Sequence, residues 1–78
     1  MNMQLSVARG FVRLDLLEPG SLFLFNGTLA VKTEYRNEDG GCKCIIIGTG
    51  EYFWGHTSSA EELNNLFVQP AILSPIPS

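Results

Sequence analysis

One histidine, one tryptophan and five scattered basic side chains leave this 78-residue chain short of the parts that most chemistry requires. Arg9, Arg13, Lys32, Arg36 and Lys43 form no stripe, so the electrostatic footprint of a duplex nucleic-acid binder is missing. The net charge of −3 is too small and too dispersed to imitate DNA. No run approaches the ~20 apolar residues that span a bilayer, and Met1 to Gly10 lacks the apolar stretch of a signal peptide. The expectation is a cytosolic chain with reduced thiols at Cys42 and Cys44, in which the Asn26-Gly27-Thr28 sequon serves as a turn. One imidazole with no paired carboxylates beside it does not supply the activated nucleophile or acid–base pair of an enzyme. Gly48-Thr49-Gly50 lacks the third glycine and the strand–helix setting of a nucleotide fingerprint, so no cofactor is expected.

What the chain does have is a series of short apolar segments cut by turn signals. Pro19-Gly20 suits the centre of a type II turn, and Asn26-Gly27 between apolar runs marks a two-residue hairpin. Asp39-Gly40-Gly41 and Thr49-Gly50 complete the punctuation. The segments between them, Phe11 to Leu17, Leu22 to Phe25, Leu29 to Tyr35, Cys42 to Ile47 and Tyr52 to Trp54, read as strands. Ser58 and Ser59 stand three residues before Glu61 and Glu62, which is a capping-box spacing, so a short helical turn precedes a closing strand at Leu66-Phe67-Val68. The fold class expected is mainly β: a small SH3-like antiparallel barrel of about five strands with one helical turn before the last. Residues 1–10 read as an N-terminal arm or extra strand, 11–69 as the barrel domain, and 70–78, with three prolines, as an extended tail.

Leu22-Phe23-Leu24-Phe25 and Ile45-Ile46-Ile47 are apolar at every position, whereas a sheet with one wet face alternates. A chain of this size also has a marginal core. Both features predict a homo-oligomer, with a symmetric dimer favoured.

Cys42 and Cys44, two apart in a strand, share one face. With His56 they offer three soft ligands, but paired zinc cysteines usually have two to four residues between them, so thiols filling the core are favoured over zinc. The stretch from Tyr52 to Ser59 gathers aromatic faces, a glycine, an imidazole and three hydroxyls at a strand-to-helix junction. Aromatics stack on bases and hydroxyls hold phosphate. The candidate ligand-binding residues are therefore Trp54, Tyr52, His56, Thr57 and Ser58, with countercharge from Lys32 and Arg36. The competing reading makes Phe53 and Trp54 core or interface and the hydroxyls simple helix caps.

The segments Leu17-Glu18-Pro19-Gly20-Ser21-Leu22-Phe23, Phe25-Asn26-Gly27, Val31-Lys32-Thr33-Glu34-Tyr35 and Gly48-Thr49-Gly50-Glu51-Tyr52-Phe53-Trp54-Gly55 resemble a pattern found in small phage-type and prophage-type proteins. The resemblance covers about half the chain, mostly turn glycines and apolar positions, and it carries no catalytic residues. It implies a viral accessory factor acting against a host component in the host cytosol. The expected function is non-catalytic counter-defence, by sequestering a small nucleotide-like immune signal in an oligomer. Direct docking on a host defence protein and a structural role in the virion are the alternatives.

Overall fold

The computed structural model describes residues 3–76. The outermost residues of the expected arm and tail, 1–2 and 77–78, lie outside that range. Among the described residues six strands form one antiparallel sheet: β1 (Met3–Val7), β2 (Val12–Arg13), β3 (Leu22–Phe25), β4 (Thr28–Arg36), β5 (Cys42–Ile46) and β6 (Phe67–Pro75). Their order is β1-β6-β3-β4-β5, with β2 also paired to β6. A single short α-helix among the described residues, α1 (Ala60–Asn64), precedes the last strand. The chain is mainly β, as its turn signals predict, but the sheet does not close into a barrel.

The turns form where the sequence places them. Asn26 and Gly27 both adopt positive φ, at 46° and 79°, and join β3 to β4 in register from Phe25 opposite Thr28. Gly20 sits at φ 89° behind Pro19, and the Ser21 amide donates to the Glu18 carbonyl at 3.1 Å.

Three expectations are corrected. The strand expected from Phe11 to Leu17 is only Val12–Arg13; Leu14–Leu16 is a 3-10 turn that buries Leu14 and turns Leu16 outward, 68% exposed. The carbonyls this turn leaves unpaired find a donor in Lys32, whose Nζ bonds the Asp15 and Leu17 oxygens. Tyr52 to Trp54 forms one isolated bridge, Ile45 opposite Tyr52, and not a full strand.

The third correction is the largest. Of the segment expected as a Pro-rich tail, residues 70–75 belong to strand β6, which runs through Pro70 to Pro75 and pairs on both edges. Its Ala71 stands opposite Val7 of β1 on one side and Leu22 of β3 on the other. Proline has no N–H to give to a ladder, which is why it is rare inside sheets. Here the Ala8 amide donates to the Pro70 carbonyl at 2.8 Å, and the Ala8 carbonyl takes its return bond from the side-chain amide of Gln69 at 3.1 Å. Beyond Ala8 the β1 register, in which Val7 meets Ala71, slips by two residues to that of β2, in which Val12 meets Val68. The described part of the N-terminal arm is thus a strand paired with Ala71 to Pro75 of β6, and the slip separates it from the β2 pairing at Phe67 and Val68.

Alternation along the strands sorts the side chains onto two faces. Phe23, Ala30, Lys32, Cys44 and Val68 point to one side, where Leu14, Leu63 and Phe53 complete the core. Leu22, Leu24, Leu29, Val31 and Ile45 point to the other. The β1–β6 ribbon extends beyond β3, so the radius of gyration is 12.7 Å, against roughly 11.5 Å for a compact chain of this length.

Gly55 closes the path between Phe53 and α1. It sits at φ 61°, and a Cβ there would stand 2.5 Å from Leu66 Cδ2 and 3.0 Å from the Phe53 ring. We expect Gly55→Ala to destabilise the fold by about 1–2 kcal/mol. A thermal melt would show this as a Tm lowered by roughly 5–10 °C; an unchanged Tm would disprove the close approach.

Candidate functional site

The site begins with a register. After β5, Gly48 and Gly50 take φ of 103° and 75° and return the chain along the free edge of the sheet. The Ile46 amide donates to the Glu51 carbonyl and the Phe53 amide to the Cys44 carbonyl, each at 2.8 Å. This covers the β5 edge and sets Tyr52 opposite Ile45. Alternation then sends Phe53 into the core and its two neighbours outward. Phe53 packs edge-on against Phe23 and Phe25, with centroids 5.1 and 5.8 Å away. Tyr52 and Trp54 are each 50% exposed and meet edge-on at 6.3 Å.

Lys43 joins them. Its Nζ lies 5.7 Å from the Tyr52 ring centroid, within cation–π range. Continuing the same register puts Lys43 opposite Trp54. Sequence reading passed over Lys43 because its signal is cross-strand: only the turn length at Gly48 to Gly50 fixes which lysine meets the aromatic pair.

Trp54 is a ridge between two concavities. One, of about 330 Å³, is lined by Phe25, Asn26, Thr28, Tyr52, Phe53 and His56 among others. His56 reaches it from an exposed turn at φ 59°, a left-handed conformation uncommon for residues other than glycine. The other, of about 110 Å³, is lined on its far side by Asn37, Asp39, Thr57, Ser58 and Ser59. Asn26 and Thr28 are the further polar residues that sequence reading missed; the β3–β4 turn carries them to the aromatic ring edge.

The hydroxyls of the expected site are engaged in structure. Thr57 Oγ1 donates to the Trp54 carbonyl at 2.6 Å. Ser59 caps α1, its Oγ accepting from the Glu62 amide at 3.1 Å. The Glu62 carboxylate accepts in return from the Ser58 amide at 3.1 Å and from the Ser58 hydroxyl. Of the two capping-box spacings, Ser59 to Glu62 supplies the cap.

Lys32 and Arg36 are placed elsewhere. Lys32 is only 6% exposed; it points into the core side opposite Cys44, and its ammonium is committed to the 3-10 turn. Arg36 Nη1 donates to the Gly40 carbonyl at 2.9 Å across its own loop. Both line a concavity that contains neither Tyr52 nor Trp54. The expected assembly of Lys32 and Arg36 with the aromatic pair is thus corrected to Lys43. The physical reason is strand parity: Lys32 falls on the inward side of β4, and Lys43 on the outward side of β5.

Cys42 and Cys44 are both buried and free. Among the described residues, no three of His, Cys, Asp or Glu stand close enough to share a metal ion. Burial, with the neighbouring Cys42 adding to it, pushes the Cys44 thiol up to about 12. The Asp15 carboxyl, hydrogen-bonded by Arg13 at 2.9 Å, lies below its ordinary value and belongs to the 3-10 turn.

Two expected outcomes follow from these contacts. Ser59→Ala removes the α1 cap and lowers stability by about 1 kcal/mol in urea unfolding; no change would mean the cap contributes nothing. Below about pH 9 the Cys44 thiol is protonated folded and unfolded alike, so it adds no pH dependence. Above that, the unfolded chain ionises and the folded one resists, so stability falls as pH rises toward 12, by up to about 1.4 kcal/mol per pH unit. Urea unfolding across this range checks the sign, and Cys44→Ala should flatten the alkaline limb.

No helix among the described residues is long and apolar enough to cross a membrane. No family model, curated protein or solved structure matches the chain.

Proposed function

We propose that this chain is a non-catalytic binding protein that holds a small nucleotide-like molecule at the Tyr52–Trp54 concavity. The observation that carries the reading is the aromatic pair itself: two rings held half-exposed beside one concavity by the inward anchor of Phe53. Its volume of about 330 Å³ falls at the lower end of small-molecule sites, roughly 300–1,000 Å³. The rings offer π-faces to a base, and His56, Asn26 and Thr28 offer hydrogen bonds to orient it; Lys43, over the Tyr52 ring and outside the lining of the concavity, offers a cation to a phosphate that extends beyond it. The Thr57 and Ser58 hydroxyls border the second concavity and serve its shape through their turn and cap.

A catalytic reading finds less support. His56 stands on an exposed turn, and the nearest hydroxyls are committed to a carbonyl and to Glu62. The wider role rests on the sequence resemblance: a phage-type counter-defence factor in the host cytosol, withdrawing an immune signal from its receptor. Direct docking on a host protein is the competing mechanism.

Trp54 is the sole tryptophan, so fluorescence titration with a panel of nucleotides reads the site directly. Saturable quenching is expected, together with extra mass in native mass spectrometry that is lost on denaturation. By calorimetry, Trp54→Ala should weaken binding by about 5- to 150-fold, the range of one lost base stack, with the fold intact by circular dichroism. Lys43→Gln should weaken it and reduce its salt dependence. A protein with no small-molecule mass that instead forms a stable complex with one host component would replace sequestration by direct docking.

A further inference from the structure

We infer that the outer face of the sheet is covered by a second copy of this chain, packed sheet on sheet about a two-fold axis. Leu22 and Leu24 of β3, Leu29 and Val31 of β4, Ile45 of β5 and Leu73 of β6 all stand on that face, in register across neighbouring strands. The residues that alternate with them, Phe23, Ala30 and Cys44, already fill the core. The outer side chains of β3, β4 and β5 named here are half-buried by one another, and Leu73 is exposed. They form one aliphatic field, bordered by the Tyr52–Trp54 pair with Lys43 on one side and by the β1–β6 ribbon on the other.

Three features select a second copy as the occupant. Transient partners meet surfaces about as polar as the rest of a protein, whereas homodimer interfaces are more apolar; a field of leucine, valine and isoleucine is of the second kind. An uncharged field is complementary to itself under a two-fold axis, and the net charge of −3 disfavours an anionic lipid surface. The face continues onto β1, where Leu5 and Met3, opposite Leu73 and Pro75, are exposed and add apolar area toward the ~800 Å² per partner of a stable complex. Two such faces pack about 10 Å apart with strands at roughly −30°, as in a sandwich. The inference rests on the sheet face alone and stands or falls independently of what the aromatic concavity holds.

Light scattering on the full chain from about 1 to 100 µM, with native mass spectrometry, tests it. A closed dimer is expected. The Leu24→Lys, Val31→Lys pair should raise its dissociation constant at least about 100-fold, since both copies would bury like charges against each other across the one interface. Circular dichroism should be unchanged, because both side chains point away from the core. Ile72→Lys, on the opposite side of the ribbon, should leave the dimer intact. A wild-type monomer throughout the range, open-ended association, or a dimer indifferent to the lysine pair would overturn the inference. So would equal disruption by Ile72→Lys. Should the lysine pair fail to fold, the milder Leu24→Ser decides on the same reading: a weakened dimer supports the face, an unchanged one rejects it.

Discussion

The fold depends on the strand β6 and on the way it tolerates proline at its centre. It pairs with β1, β2 and β3, so the backbone ladder that joins the first third of the chain to the last runs through it. At Pro70 the backbone offers no donor, and the ladder would lose a bond where three strands converge. Gln69 repairs this from one position away, presenting a side-chain amide to the Ala8 carbonyl that the missing N–H would have served. The register slips by two residues between β1 and β2, so Ala71 to Pro75 are paired in one register and Phe67 and Val68 in the other. The Gln69–Ala8 bond is exposed, so water would serve the Ala8 carbonyl in its absence, and its net contribution is about 0.5–1.5 kcal/mol.

Local chemistry was legible and distant compensation was not. Asn26-Gly27 and Pro19-Gly20 need particular dihedrals that few residues adopt, so their turns could be read from the residues alone. Ser59 with Glu62 is equally local. Pro70, by contrast, signals the end of a strand by every local rule, and the residue that lifts the rule is bonded to a position 61 residues away. The alternation from Val12 to Leu16 misled for a similar reason. A 3-10 turn there is stable because Lys32, far along the chain, donates to its carbonyls. The apolar runs in β3 and β5 did convey that both sheet faces are apolar, since composition needs no partner to be read.

The candidate site was legible in its aromatic part and not in its charge. Tyr52, Trp54 and His56 lie on one continuous stretch, and the structure keeps them around one concavity. The cation had to be chosen among lysines and arginines whose strand parity depends on turn lengths and on the irregular register between Lys32 and Arg36. Parity also binds the site to the core. Phe53 is wedged between two phenylalanine rings, so the outward direction of its neighbours is as fixed as the core itself. A rim of this kind is built without a rigid helix or a disulfide.

The pairing of β1 with the end of β6 also has a mechanical meaning. Met3 lies opposite Pro75, so the two ends of the described chain leave the same pole of the molecule side by side. Antiparallel hydrogen bonds run across the strands, and a pull on the two ends therefore loads the pairs one after another, outermost first. The ribbon would peel open like a zipper at low force, while the body beyond Ala8, whose bonds lie deeper in the sheet, would give way as a separate and later event.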